Sequence, residues 1–177
     1  MLAYQESRTL AASFRLKLVL PRMKPEDTLD YNIKVAWHAI ARMYGQQAAR
    51  VDLTTSIGFV LLNIDPTDGT PTTKIAPLLG PEARSLTRLL KSMEVKGLIY
   101  RRPDPHDRRS VRICLTEHGL ASRETSRRSV RHFNHVVQDE IEPADLITFF
   151  RVIRQITEKI ERKEIFPPDY DPVVGGR

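Results

Sequence analysis

Apolar side chains recur through the first third of the chain at the spacing that one face of a helix requires. A stripe at i, i+4, i+7 and i+11 predicts a first helix over residues 29–48, and it consists of Ile33, Trp37, Ile40 and Tyr44. Thr54 or Thr55 can cap a second helix, because a threonine oxygen accepts from the free N–H groups of a first turn. Its apolar positions are Ile57, Val60, Leu61 and Ile64.

Two further helices are predicted after residues 65–71, where aspartate, proline and glycine indicate a loop. A third, short helix is expected at about residues 73–79, with Pro77 in its first turn or distorting it. The fourth helix is expected over residues 82–96, and Gly97 is placed to end it in a left-handed conformation. The apolar face of the fourth helix falls at i, i+3, i+4 and i+7 and consists of Leu86, Leu89, Leu90 and Met93.

The pattern then changes from helical spacing to alternation. Residues 98–102 and 110–115 predict two strands, joined by a charged loop at residues 103–109. Thr116 can cap a long fifth helix, and Pro143 suits the first turn of a sixth. The apolar positions of the sixth helix are Leu146, Phe149, Phe150, Ile153, Ile156 and Ile160. The predicted fold is therefore mainly α with a small β-hairpin.

The two ends of the chain differ in composition from its middle. Residues 1–28 are basic, hold a single acid before Glu26 and are interrupted by Pro21 and Pro25, which predicts a flexible N-terminal extension. An organelle transit peptide is the alternative for this segment. Residues 164–177 hold three prolines and two glycines, which predict a flexible C-terminal tail.

The composition of the 177 residues indicates one globular domain, since 41% are hydrophobic and 28% are charged. Cys114 is the only cysteine, which excludes an internal disulfide and fits a reducing compartment such as the cytoplasm. The sequence contains no apolar run of the length that a membrane-spanning helix needs. The formal net charge of +6 suits an anionic partner such as nucleic acid.

Positive charge is concentrated between Arg84 and Arg112, where nine basic and three acidic residues give the net charge of the whole chain. The side of the fourth helix opposite its apolar face carries Arg84, Ser85, Arg88, Lys91 and Ser92. A solvated basic helix is the simplest interpretation, but a hairpin with a basic tip follows it directly. A short helix, a turn, a basic helix and such a hairpin predict a winged helix-turn-helix, which suits duplex DNA.

Four stretches of this segment carry a family resemblance: Ser85–Leu90, Lys96–Ile99, Arg101–Arg109 and Leu115–Gly119. Together they closely resemble the MarR family of bacterial transcriptional regulators. The family motif is matched nearly without gaps from Leu86 to Gly119, and the helix order agrees over roughly residues 29–162.

The resemblance implies a MarR-like domain at residues 29–163, with its winged helix at about 54–115. Helices at about 29–48 and 116–162 would form a dimerisation layer. A homodimer would then bind a pseudo-palindromic operator as a repressor that a small molecule controls. The expected partners are therefore double-stranded DNA, a second copy of the chain and a small effector.

The resemblance also assigns DNA contacts residue by residue. The predicted major-groove contacts are Arg84, Ser85, Thr87, Arg88 and Lys91. At the wing, Arg108 and Arg109 are expected in the minor groove, and Asp107 is expected to hold an arginine in position by a charged hydrogen bond. Arg101 and Arg102 complete the predicted DNA-binding set, with Arg102 assigned to a phosphate.

The first helix carries a candidate ligand site, formed by Trp37, His38, Arg42 and Tyr44. These side chains suit an aromatic or anionic small molecule, and relatives bind ligands between the helical layer and the winged lobe. A place in the dimer core is an equally weighted interpretation for Trp37 and Tyr44.

Three other constellations are weighed and set aside. His132, His135 and Asp139 have a spacing that could present metal ligands, but arginines crowd that helix. Cys114 lies in a wing strand rather than near the first helix, where thiol sensors of this family lie. His106 and Asp107 stand in a charged loop without a recognisable nucleophile. The sequence therefore predicts no metal, no cofactor and no enzyme activity.

Two alternatives to a sequence-specific regulator stay open. One is a nonspecific or architectural nucleic-acid-binding protein, which would bind unrelated duplexes equally well. The other is a winged helix used only to bind proteins, against which the basic residues Arg88, Lys91 and Arg109 argue.

Overall fold

The structure is a computed structural model that describes residues 24–105, 107 and 110–171, with the backbone alone for 80–84. Most of the predicted N-terminal extension therefore lies outside the described residues. The described chain divides after Gly58 into two compact units, each of which is treated by itself.

The first unit is dominated by helix α1, Leu29–Ala49, which confirms the first predicted helix. A short 3-10 helix, Pro25–Asp27, precedes it. Thr28 caps α1, since its hydroxyl oxygen accepts from the amide of Tyr31 at 3.3 Å. The predicted apolar stripe is present but uncovered in the single chain, because no α1 residue is buried and Trp37 is 65% exposed.

Helix α2, Thr55–Asn63, directly follows Thr54, the first of the two predicted caps. The Thr54 hydroxyl oxygen accepts from the amide of Ile57 at 3.2 Å. Ile57, Val60 and Leu61 are buried along this helix, as the sequence predicted, and Ile64 is buried just beyond its end.

The second unit contains a three-stranded antiparallel sheet, where the sequence predicted two strands. Strands β2, Ile99–Pro103, and β3, Val111–Leu115, form the expected hairpin. The added strand β1, Thr70–Pro71, lies inside the segment predicted as a loop and pairs with β3, which becomes the central strand. Two residues show no alternation, so only pairing with β3 makes this segment a strand.

The segment that leads to the fourth helix corrects the prediction. Helix α3 is Thr72–Ile75, and a 3-10 helix, Ala76–Ser85, replaces both the end of the predicted third helix and the first turn of the fourth. Helix α4 is Leu86–Val95 and so starts later than the predicted residue 82. Pro77 and Pro81 lack an N–H group and disfavour the α conformation of the residue before them, so an α-helix does not continue through residues 76–81. They do not explain why α4 starts at Leu86 and not at residue 82.

The end of α4 confirms the role predicted for Gly97, which has a φ of +66°. The Gly97 amide donates to the carbonyl oxygen of Glu94 and the Leu98 amide to that of Met93, both at 2.9 Å. This pair of bonds is the Schellman arrangement, which ends a helix in the left-handed region.

Two long helices complete the second unit, and both start where the sequence predicted. Helix α5 is Glu117–Asp139, and α6 is Pro143–Glu161 with proline in its first turn.

The core of the second unit comes from α2, α3, the 3-10 helix, α4, β2 and β3. Its buried apolar residues include Val60, Leu61, Ile64, Ile75, Leu79, Leu86, Leu90, Met93, Leu98, Ile99, Ile113 and Leu115. Among the described residues, no helix combines the length and the apolar character needed to cross a membrane.

Candidate nucleic-acid interface

Helix α4 separates an apolar face from a basic one, as the sequence predicted. Leu86, Leu90 and Met93 are buried, whereas Arg88 and Lys91 are exposed. Within the part of the chain that the structure describes, neither cation has a hydrogen bond or an ion pair. The helix is about 15 Å long at 1.5 Å per residue, and the major groove of B-DNA is about 12 Å wide. Because Arg88 and Lys91 are exposed and have no such partner among the described residues, both cations are available to an anionic partner.

The start of the predicted contact set does not lie on α4. Arg84 belongs to the 3-10 helix, and its side chain lies outside the described residues. Ser85 is exposed at the N-cap position of α4, without a side-chain cap bond to that helix. Thr87 is exposed one turn before Lys91. The α4 part of the predicted major-groove set thus consists of Thr87, Arg88 and Lys91.

Two wing arginines of the predicted set bind inside the chain. The Arg101 guanidinium donates to the carboxylate of Glu94 at 2.7 Å, which ties β2 to α4. The Arg102 guanidinium donates to the carbonyl oxygen of Asp68, also at 2.7 Å, which ties β2 to the loop before β1. Both side chains remain exposed, and their contact with DNA stays a prediction.

The turn of the wing is closed by backbone hydrogen bonds. The Asp104 amide donates to the carbonyl oxygen of Ser110 at 3.0 Å, and the Ser110 amide donates to that of Asp107 at 2.9 Å. His106, Arg108 and Arg109 lie outside the described residues, and Asp107 is exposed. The minor-groove role of the two arginines and the holding role of Asp107 therefore stay predictions.

A half-buried ion pair at the base of this turn was not predicted from the sequence. The Arg112 Nε donates to the Asp104 Oδ2 at 2.7 Å, and the two side chains are 19% and 6% exposed. From the sequence, Arg112 contributes only to the positive charge of the segment, and Asp104 contributes only to its charge and its motif. A signal was present, because Arg112 occupies a polar position in an alternating strand that follows an acidic turn.

The loop before β1 is organised by Asp65. Its Oδ1 accepts from the amides of Thr67 at 2.9 Å and of Asp68 at 2.7 Å, which forms an Asx turn. These two backbone hydrogen bonds lower the pKa of Asp65, and the positive charges of Arg123 and Arg112 act in the same direction. The loop that accepts from Arg102 is thus itself fixed by an ionised carboxylate.

The candidate ligand residues all lie on α1. Trp37, His38 and Arg42 are exposed, and Tyr44 is half-buried. Burial raises the pKa of the Tyr44 phenol. Trp37 and Tyr44 are seven residues apart and so share one side of the helix. Their part in ligand binding stays a prediction.

The constellations set aside from sequence have ordinary surroundings. His135 Nδ1 lies 2.7 Å from the Asp139 carboxylate on the exposed side of α5. Among the described residues, no group of three or more His, Cys, Asp or Glu side chains could hold a metal ion. Cys114 is buried in β3, where its sulfur lies against the backbone of Gly69.

Three elements together define a winged helix-turn-helix. They are the short helix α3, the helix α4 with its basic exposed face and the β2–β3 hairpin, which forms the wing. A model of the MarR family matches residues 53–111, which run from just before α2 to the first residue of β3.

The chain is similar to two regulators whose names state their role. It is 30% identical over 113 residues to the HTH-type transcriptional regulator SarZ of Staphylococcus aureus, over 63% of this chain and 76% of SarZ. It is 33% identical over 94 residues to the HTH-type transcriptional regulator TtmR of Methylorubrum extorquens, over 53% of this chain and 48% of TtmR. The chain thus spans about half the length of TtmR.

Solved structures share the fold at low sequence identity. A MepR–DNA complex of S. aureus has a TM-score of 0.68 at 22% identity and covers 75% of this chain and 98% of MepR. A MarR variant of E. coli with operator DNA has a TM-score of 0.63 at 22% identity and covers 72% of this chain and 92% of MarR. The chain belongs to the MarR family, a family of transcriptional regulators and not of enzymes.

Proposed function

We propose that this protein binds duplex DNA through α4 and the β2–β3 wing, and that it regulates transcription from a specific operator. The observation that carries the proposal is the exposed pair Arg88 and Lys91 on α4, whose opposite face is buried in the core. The buried face fixes the helix, so these cations are held at a constant position. A cation on a rigid helix can discriminate base edges in the major groove.

The β2–β3 wing also supports DNA binding. Arg101 ties it to α4 through Glu94 at 2.7 Å, so the helix and the hairpin keep a fixed relation. In that arrangement Arg108 and Arg109 at the turn would enter the minor groove beside the site of α4. Basic side chains favour a narrow minor groove because its potential is more negative.

Homodimerisation is the second part of the proposal. Helices α1 and α6 each leave large apolar side chains exposed in the single chain, and residues of at least two-fifths exposure include Leu29, Ile33, Val35, Trp37, Ile147, Phe149, Phe150 and Ile160. Apolar surface of this extent marks an interface between proteins. A dimer layer formed by α1 with α5 and α6, flanking a winged helix at about residues 54–115, would bury it and place two α4 helices on one pseudo-palindromic operator.

Repression and control by a small molecule complete the proposal, with the bacterial cytoplasm as the place of action. The candidate contacts are Trp37, His38, Arg42 and Tyr44 on α1. A ligand that binds the DNA-incompetent dimer more tightly would lower operator affinity, and operator DNA would weaken the ligand by the same factor. Trp37 fluorescence in a screen of phenolic and carboxylate compounds, with and without operator, tests this part.

Selection of binding sites from random duplexes, at several stated salt concentrations, tests the function itself. We expect enrichment of a pseudo-palindrome whose half-sites lie about one helical turn apart. Equal affinity for unrelated duplexes would instead support the architectural alternative. Absence of DNA binding at low salt would contradict the proposal, because basic DNA-binding proteins bind most tightly there.

A further inference from the structure

Arg112 lies in β3, the central strand of the three-stranded sheet, opposite two residues that do not stabilise its positive charge. In the sheet register it lies opposite Arg102 of β2 on one side and opposite Pro71 of β1 on the other. Directly opposed residues point to the same face, and like charges in such pairs destabilise a sheet unless something balances them. The surroundings of Arg112 therefore have to supply negative groups.

Three acceptors balance Arg112, and they belong to two separate parts of the chain. Its Nε donates to the carboxylate of Asp104 at 2.7 Å, at the start of the wing turn. Its Nη1 donates to the carbonyl oxygens of Asp68 at 3.3 Å and Gly69 at 3.4 Å, in the loop before β1. Arg102 donates to the same Asp68 oxygen at 2.7 Å.

We define the wing clamp as Arg112 together with the Asp104 carboxylate and the carbonyl groups of Asp68 and Gly69. The loop side of the clamp continues through β1 and α3 into the 3-10 helix and then into α4. The Thr72 hydroxyl at the start of α3 also donates to the carbonyl oxygen of Val111 at 3.0 Å. The clamp thus connects the wing turn to the segment that carries the basic helix.

We propose that Arg112 is a positioning residue for the DNA interface, which holds the wing turn in place through the clamp and does not itself contact DNA. The proposal rests on the proposed function above. The low exposure of the Asp104 and Arg112 side chains, 6% and 19%, supports an internal role. A planar guanidinium suits this place because it donates to a carboxylate and to carbonyl groups in different directions at once.

The charge of Asp104 makes this proposal distinguishable from direct contact. Asp104→Asn removes a negative charge next to the wing, so electrostatics alone would strengthen binding to DNA. Loss of the clamp would weaken binding instead. Arg112→Lys keeps the positive charge but loses the guanidinium geometry, so it should also weaken binding if position is what matters.

The experiment uses the full chain and measures two quantities for Asp104→Asn, Arg112→Lys and Arg112→Gln. The first is affinity for the selected operator, and the second is amide hydrogen exchange of Asp104 and Ser110 without DNA. We expect about tenfold weaker operator binding for all three variants, which is the size of effect that follows from the loss of one well-placed contact. We also expect about tenfold faster exchange of both amides, because their hydrogen bonds close the wing turn.

Arg127→Gln is the matched control, since it also removes one positive charge from an ion pair. Arg127 lies 3.6 Å from Glu124 on the exposed side of α5. Both measured quantities should stay within about twofold of the wild-type values, as for most exposed pairs. Circular dichroism melting of each variant shows whether the fold is retained.

Arg112→Gln removes the ion pair between Arg112 and the buried Asp104 carboxylate, and loss of a buried pair is a route to unfolding. The double variant Asp104→Asn with Arg112→Gln removes both charges, and Arg112→Lys keeps both, so these two variants then decide. Unfolding of every variant would overturn the proposal, because Arg112 would then support the whole fold and not the wing turn alone.

Two further results would overturn the assignment. Tighter operator binding by Asp104→Asn would show that its charge matters and the clamp does not. Weaker binding by Arg112→Lys with unchanged exchange of Asp104 and Ser110 would make Arg112 a direct contact. If the wild-type chain binds no DNA, the proposed function fails, whereas the exchange rates still report whether Arg112 holds the wing turn.

Discussion

The Thr116 hydroxyl donates to the carbonyl oxygen of Gly97 at 2.6 Å and so ties the start of α5 to the end of α4. The same oxygen accepts from the amide of Gly119 at 2.9 Å, which caps α5. The Thr116 amide adds a bond to the carbonyl oxygen of Leu98 at 3.1 Å. The helix proposed to read DNA and a helix proposed to form the dimer therefore share one junction. Two of the stretches that carry the family resemblance, Lys96–Ile99 and Leu115–Gly119, meet at this junction.

Gly119→Ala should destabilise the second unit. A methyl group at this position would collide with the carbonyl oxygen of Leu98, which is backbone and cannot move aside. We expect a loss of about 1–3 kcal/mol in the free energy of unfolding, the usual cost of overpacking. Urea unfolding followed by circular dichroism measures it. Gly45→Ala in α1 is the control, since its nearest neighbour outside the helix, Thr55 Oγ1, lies 3.7 Å from the added carbon. An equal loss in the free energy of unfolding for both variants would show that the close approach of Gly119 to Leu98 is not the cause.

Thr116→Val should cost about 1 kcal/mol of stability, because it removes the cap of α5. It also removes the bond to Gly97, so operator affinity should fall together with stability. Thr157→Val removes a hydroxyl that bonds the preceding turn of α6, to Ile153 at 3.1 Å, and serves as the control. Melting temperature and operator affinity are measured for both. No difference between them would show that the cap contributes nothing particular.

Arg88→Ala should flatten the sequence preference of the protein. A base contact of this kind discriminates by about 1–3 kcal/mol, whereas a phosphate contact acts equally on all sequences. The measurement compares affinity for the selected operator and for a scrambled duplex at the same salt. Arg127→Ala on α5 is the control. Equal losses on both duplexes would remove Arg88 from the base-reading role.

Phe149→Asp should abolish the dimer without unfolding the chain. Phe149 is 56% exposed in the single chain, and its ring packs at 5.6 Å on that of Phe150. A charged side chain in the core of an interface destabilises the dimer, because it loses its hydration and gains no partner of opposite charge. Sedimentation should show a monomer, and operator affinity should fall with it. Glu161→Ala, at the exposed end of α6, is the control. A Phe149→Asp dimer with wild-type affinity would exclude this face.

Asp65 should contribute stability that depends on pH. Its pKa is lowered from the ordinary value of 3.8 in the folded state, so the unfolded chain binds more protons as the pH falls. This stability is present above pH 3.8 and is lost as the pH falls through the lower folded value. Asp65→Asn keeps an oxygen for Thr67 and Asp68 but loses the charge. The stability difference between wild type and Asp65→Asn should therefore shrink towards low pH.

Asp65→Ala separates the two contributions, because it also removes the acceptor of both backbone hydrogen bonds. Its stability loss should persist at low pH, where a protonated Asp65 still accepts them. Urea unfolding at a series of pH values measures all three proteins. A constant difference between wild type and Asp65→Asn across the series would contradict the role of the charge.

The sequence by itself determined most of the helices, the hairpin and the basic face of α4. Their signals are local: the apolar spacing of α4, the cap at Thr116, the proline at the start of α6 and the glycine at position 97. Each depends on a few neighbouring residues and on backbone preferences that hold in any fold. The family motif added the order in which these elements follow one another.

Only the tertiary structure decided where α4 begins, that β1 exists and that Arg112 is the half-buried partner of Asp104. The 3-10 helix Ala76–Ser85, whose Leu79 packs into the core, takes the place of the first turn predicted for α4. β1 is a strand only through its pairing with β3. The bond from Arg112 to Asp68 joins residues 44 positions apart. Contacts of that separation depend on how the whole unit packs, and no window of neighbouring residues contains them.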